Sequence, residues 1–280
     1  MNNLNQDIIA GTDTAILSDV NSDRRQILKT LARLTGKLAL SALPAGFSGV
    51  VNRAYGQHGT PDVAATRINH LILLEYLQAE FFETAVAKGL PGLATNHFDT
   101  FRTIAMHDKL HIDLLKGRLI PLKFPAIPKP EFDFTGGSGS GNGPYKNVFA
   151  DNSILGAVAR SIKDLAVRSY IAQYPHLVAG DRYYIGPINI HPVESRHAAQ
   201  LRTMPFSPGF EMPWITRNQT IHPFDGLRSV YFGEENTLQD NIQIVNINGK
   251  AITVDHATEA FDEPLSMETV NAIIAPFIAG

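Results

Sequence analysis

Apolar residues recur at helical spacing through four stretches of the chain. From Arg67 to Lys88 they are Ile68, Leu71, Ile72, Leu74, Leu77, Phe81, Phe82 and Val86, with Gly89 and Pro91 as the stop. From Phe98 to Leu119 the pattern repeats through Phe101, Ile104, Ala105, Leu110, Leu114 and Leu115, and Pro121 ends it. The short link between these helices makes them antiparallel neighbours. Residues 120–152 have no hydrophobic period and contain the run Gly136 to Gly143, which predicts a surface crossover with linker character. A third helix spans about Asn152 to Tyr174, with Leu155, Val158, Ile162, Leu165, Ala166 and Ser169 on its seam. A fourth covers Val193 to Met204, after Pro187 and Pro192, which either kink it or delay its start. Beyond Pro205 two β-rich runs, Ile242 to Ile247 and Lys250 to Val254, flank Asn248-Gly249 and predict a hairpin there. Ser266 is placed to cap a last helix, Met267 to Ala275, before Pro276. The pattern describes a mainly α protein. A four-helix bundle at 62–204 has a long crossover between its second and third helices, and 205–280 form a small extension with a β-hairpin.

The segment before the bundle has a different grammar. A polar stretch, Met1 to Asp23, leads into Arg24-Arg25 and a mildly apolar run from Thr30 to Val51 that ends near Ala54-Tyr55-Gly56. Paired arginines before such a run read as a twin-arginine export signal, so residues 1–57 are expected to be a leader and the protein periplasmic or exported. Arg33 and Lys37 interrupt the run and support the other reading, an amphipathic helix with surface arginines, which would leave the chain cytoplasmic if the leader is retained.

Composition narrows the chemistry. The 280 residues include no Cys, which excludes disulfides, thiolate metal sites and a cysteine nucleophile. A balance of 24 Lys+Arg against 27 Asp+Glu gives no basic surface for nucleic acid. No apolar run is long enough for an ordinary transmembrane span. The glycine run lacks the strand before it and the Lys-Ser/Thr after it that a phosphate loop requires.

Two D/E-x-x-H pairs remain, Asp108 with His111 and Glu194 with His197. Spacing of (i, i+3) puts a carboxylate and an imidazole on one helix face, where they can chelate one ion. A dimetal bundle adds a carboxylate from each of the other helices. Glu75, in a strongly apolar stretch, fits that role on the first helix, with a boundary ion pair as its alternative. On the third helix, with Ile162 at zero and about 100° per residue, Lys163 falls at about 100° and Asp164 at about 200°, away from the seam. His70, His107 and His191 adjoin the motifs as orienting donors or as ordinary boundary imidazoles.

The segments Asn69 to Phe82, Ala105 to His111, Ala166 to Tyr170 and Val193 to Arg202, with the tail Ala260 to Ser266 and Ala275 to Ile278, resemble the bacterial ferritin-like family related to plant desiccation-related proteins. The resemblance implies a ferritin-like four-helix bundle and a role in stress response. It makes Glu75, Asp108, His111, Glu194 and His197 the metal positions, with Asp108 where the family usually has Glu, and aligns the third-helix glutamate of the family with Lys163.

Three arrangements stay open. Glu75, Glu194 and His197 could hold one Fe or Mn ion, with Asp108 and His111 poorly completing a second site. Lys163 could insert its ammonium among Glu75, Asp108 and Glu194 in place of metal, since buried carboxylates must be compensated. Or Asp164 could bend inward and restore a full set. Two function classes follow. One is a carboxylate/His metal protein of redox or stress-protection type with a degenerate centre. The other is a metal-free scaffold with a Lys163–carboxylate cluster, acting as a binding or assembly module, with a homo-oligomer or protein partner through the C-terminal extension. Whether the chain is an enzyme stays open.

Overall fold

A computed structural model describes residues 63–89, 93–177, 185–206, 212–219 and 224–280, so the expected leader lies outside the described residues. Four long helices form the bundle: α1 (Val63–Lys88), α2 (Thr95–Leu122), α3 (Asn152–Leu177) and α4 (Ile185–Arg202). Helix α1 packs along α2 and α3 along α4, and the pairs meet through α1 with α3 and α2 with α4. Helix α4 starts earlier than its apolar pattern suggests. Pro187 falls in its first turn, where no backbone N–H is needed, and the helix carries Pro192 inside at the loss of one ladder bond. No helix among the described residues is long and apolar enough to cross a membrane.

The core is aromatic toward one end. Phe82 packs edge-on against Phe81 and Phe101, with ring centroids 5.3 and 5.0 Å away. Phe101 continues the chain to Phe206 at 6.0 Å, beyond α4. Phe81 also receives Phe134 and Phe149 from the crossover, at 5.4 and 5.5 Å.

That contact corrects the linker reading of 120–152. Ile127, Phe134, Tyr145 and Val148 are buried, and the glycine run is folded around one carboxylate. Asp133 accepts from Thr135 N and from the Gly139 and Gly141 N–H groups, each at 3.0 Å. Burial opposes the charge, yet these donors and the Thr135 hydroxyl hold the Asp133 carboxyl below its ordinary range. Gly139 and Gly141 need positive φ to present those groups, 90° and 65°. A β-bridge between Phe132 and Ile278 then ties the crossover to the C-terminal segment, with Asp133 N donating to Phe277 O at 2.8 Å.

The extension contains α5 (Asp225–Arg228), the hairpin β1 (Leu238–Gln239) and β2 (Ile242–Gln243), α6 (Val254–Thr258) and α7 (Met267–Ile274). Ser266 caps α7 by accepting from Thr269 N at 3.2 Å, as expected. The hairpin is displaced from its expected place. Leu238 pairs with Gln243 and Gln239 with Ile242, around Asp240-Asn241. Those two residues have φ of 48° and 65°, the positive pair a two-residue turn requires, so the chain reverses before it reaches Asn248-Gly249. Asn248 and Gly249 instead close a short 3-10 turn, Ile247–Gly249.

Arg168 on α3, 1% exposed, holds the extension to the bundle. Its guanidinium donates to the carbonyls of Val230, Phe232 and Glu263 and pairs with Glu234 at 2.6 Å. Burial raises the Glu234 carboxyl to about 8 even with Arg168 beside it favouring the charged form.

One buried histidine sets an acid limit on the fold. His70 is fully buried in α1, its Nε2 2.9 Å from Ser169 Oγ, and burial pushes its pKa down to about 4. The unfolded chain takes up this proton near pH 6.5 and the folded chain does not, so stability falls as pH drops from 6.5 toward 4. The slope is about 1.4 kcal/mol per pH unit for one proton. Urea titrations at several pH values should show His70→Gln with a shallower acid decline than wild type; identical slopes would remove His70 from the account.

Candidate metal centre

Each bundle helix supplies one face to the centre: Glu75 from α1, Asp108 and His111 from α2, Lys163 from α3, and Glu194 and His197 from α4. Glu75, Asp108, Lys163 and Glu194 have no exposed surface, and His111 and His197 are buried as well. The helix periods explain the convergence. Both D/E-x-x-H pairs span (i, i+3), and Lys163 follows the seam residue Ile162 by about 100°.

The Lys163 ammonium lies between two carboxylates, 2.7 Å from Asp108 Oδ1 and 2.8 Å from Glu194 Oε2. It also sits over the Phe82 ring, 5.4 Å from the centroid. Burial works against its charge, but Asp108, Glu194 and Glu75 more than compensate and raise its pKa above the ordinary value. Asp164 does not bend inward. It pairs with Arg202 and accepts from Tyr231 Oη at 2.8 Å, on the side of α3 that the extension covers. This closes the third arrangement.

On the other side of Glu194 lie the imidazoles. His111 Nδ1 is 3.3 Å from both Glu75 Oε2 and Glu194 Oε1, and His197 Nδ1 is 3.4 Å from the same Glu194 oxygen. The ligand-type atoms of Glu75, Asp108, His111 and Glu194 all lie within 4.8 Å of one another, so this buried cluster could hold a metal ion. His197 joins it through Glu194. Tyr170 donates to Glu75 Oε1 at 2.6 Å and fixes the outer oxygen of that carboxylate.

Burial and the neighbouring charges set the proton affinities of the cluster. Burial pushes Glu75 and Asp108 up, whereas Glu194, despite burial, is held well below the ordinary range by Lys163, His111 and His197. Burial alone would lower His111, but the Glu194 and Glu75 carboxylates beside it carry it up to about 10; burial takes His197 down to about 4. A cation entering here competes with those protons.

The donors fit one ion and not two. Glu194 Oε1, His197 Nδ1 and Asp108 Oδ2 are buried without a hydrogen-bond partner. The 3.3 Å separations of His111 Nδ1 from Glu75 and Glu194, and the 3.4 Å separation of His197 Nδ1 from Glu194, match edges of a tetrahedral shell with bonds of roughly 2.0–2.2 Å. Between Asp108 Oδ1 and Glu194 Oε2 the ammonium already fills the space a second ion would need.

One participant, Tyr170, carried no role in the sequence reading. Tyr170 lies seven residues after Lys163, two turns along the same face, a spacing that could have flagged it. His107, expected as an orienting donor or a boundary imidazole, lies with Nδ1 3.0 Å from His197 Nε2, its ring stacked at 17°.

A model of the ferritin-like domain matches residues 64–206. No curated protein and no solved structure matches the chain.

Proposed function

Since the chain belongs to the ferritin-like domain family, we propose that it is an exported metal protein of redox or stress-protection type whose centre holds one Fe or Mn ion beside a lysine. The carrying observation is the division of the Glu194 carboxylate, with Oε2 on the Lys163 ammonium and Oε1 facing both imidazoles. Three carboxylates, one ammonium and one divalent ion sum to zero, which is what a site without solvent demands. Glu75, Glu194, His111 and His197 would hold the ion, and Asp108 would answer Lys163. Oxygen and nitrogen donors suit iron or manganese, which would supply one-electron chemistry toward dioxygen or peroxide. Lys163 favours the ionised forms of Asp108 and Glu194 and holds them apart, Tyr170 holds Glu75 in place, and the helices exclude bulk water from all four charged groups. The paired arginines Arg24-Arg25 support export.

A second reading is favoured by the same ammonium. With Lys163 and a protonated His111 the cluster is compensated without metal, and the protein would then be a scaffold that binds a partner through its C-terminal extension. Metal analysis of protein purified without chelator separates the two. About one Fe or Mn per chain is expected for the one-ion centre. No metal after growth in metal-rich medium would establish the scaffold, and two ions per chain would remove Lys163 from its role. Lys163→Glu should raise the capacity from about one ion to about two, because it restores a ligand where the ammonium stood.

A further inference from the structure

We infer that the surface pocket between the first half of α2 and the last half of α4 is the port through which a divalent cation reaches the centre, an inference that rests on the one-ion reading above. The pocket has a volume of about 390 Å³ and is lined by Asn96, Asp99, Thr100, Thr103, His107 and His197, among others. A cation with six waters needs roughly 200 Å³ at 30 Å³ per water, so it fits with its hydration shell intact. The lining suits such a guest. Asn96, Thr100, Thr103 and Gln200 give it polar side chains, with Asp99, paired to Arg102 at 2.9 Å, as its carboxylate.

The pocket ends on the centre itself. Glu75, Asp108, Lys163 and Glu194 are sealed from solvent, whereas His197 belongs both to the centre and to the pocket wall. Its ring spans the boundary. Nε2 lies on the pocket side, 3.0 Å from His107 Nδ1, and Nδ1 lies on the inner side, 3.4 Å from Glu194 Oε1 and without a hydrogen bond. One imidazole therefore separates the pocket from Glu194 Oε1. His107 is a positioning residue here, since its contact with Nε2 keeps Nδ1 turned toward Glu194. The second pocket, about 190 Å³ beside Asp164, Arg202 and Trp214, is lined by none of the centre's ligands and leads elsewhere.

The test is the rate of Co²⁺ uptake by the full chain, followed in a stopped-flow instrument by the visible absorption of the bound ion. Thr103→Trp and Gln200→Trp both place a large ring in the pocket from exposed positions. Each should slow loading by about tenfold or more while leaving the final stoichiometry and spectrum unchanged, because only access is altered. Asp113→Trp, exposed on α2 outside the pocket, should load at the wild-type rate. Loading at the wild-type rate in both pocket variants would overturn the port while leaving the one-ion centre intact. A wild-type chain that takes up no Co²⁺ would overturn the one-ion centre and the port together.

Discussion

Lys163→Met is expected to leave the metal-free chain about 3–5 kcal/mol less stable than wild type, the usual consequence of removing one partner from a buried ion pair. Methionine fills nearly the same volume, so the loss is one of charge. Asp108 Oδ1 and Glu194 Oε2 lose their donor, at 2.7 and 2.8 Å, in a region without water. The sign with pH follows from the carboxyls. Without the ammonium their folded pKa values rise, and a carboxyl raised on folding contributes stability that is lost as pH increases. The gap between variant and wild type should therefore narrow on acidification and widen above neutrality. A divalent ion stabilises both chains, by about 2.7 kcal/mol at a hundred times the dissociation constant, and should narrow the gap only through the tighter binding that the uncompensated carboxylates give the variant. Urea unfolding in chelator and in excess Mn²⁺, each at two pH values, measures all of this. Equal stability of variant and wild type in chelator would mean that the ammonium is not what balances the cluster.

The second large effect is expected at Arg168. Arg168→Met should destabilise by about 3–5 kcal/mol through the loss of a buried guanidinium and the exposure of its partners' unmet demands. Three carbonyls, those of Val230, Phe232 and Glu263, lose their donor, and the Glu234 carboxylate loses its counter-charge. Because all four partners lie in the extension, damage should concentrate there. Limited proteolysis should cut between 224 and 265 before it cuts the bundle helices. Arg168→Lys should rescue little, since one ammonium cannot reach the positions that the planar fork serves. A variant cut first in α1 or α2 would show that the clamp acts on the whole fold.

The bundle was legible in the sequence because its helices bury a continuous stripe, and the 3.6-residue period survives in Ile68, Leu71 and Ile72 or in Phe101, Ile104 and Ala105. The faces that carry Glu75, Asp108, His111, Glu194 and His197 were legible for the same reason. The angle of Lys163 on its helix correctly separated it from Asp164. What the wheel could not supply was the burial of Asp164, which depends on Tyr231 from a distant part of the chain. The crossover failed as a reading for a similar cause. Glycine and serine suggest solvent, but Asp133 gathers their backbone N–H groups, and no local pattern announces a carboxylate as an organising centre. The hairpin was misplaced because Asn-Gly marks a turn without stating whether strands flank it, and Asp240-Asn241 provides the same dihedrals earlier.

An ammonium carried on a side chain has one property that no bound ion shares: it cannot be exchanged. First-row divalent ions compete for oxygen and nitrogen ligands in a fixed order of strength that favours copper and zinc over manganese and iron. A centre that takes two ions offers such competitors two places to enter. Here one cationic position is joined to the backbone through Lys163, and it keeps its identity in any medium, whatever the surrounding ions or chelators. In the proposed one-ion centre the Asp108 side would thus be closed to mismetallation by covalent structure, and selectivity would have to be achieved only around Glu194 Oε1.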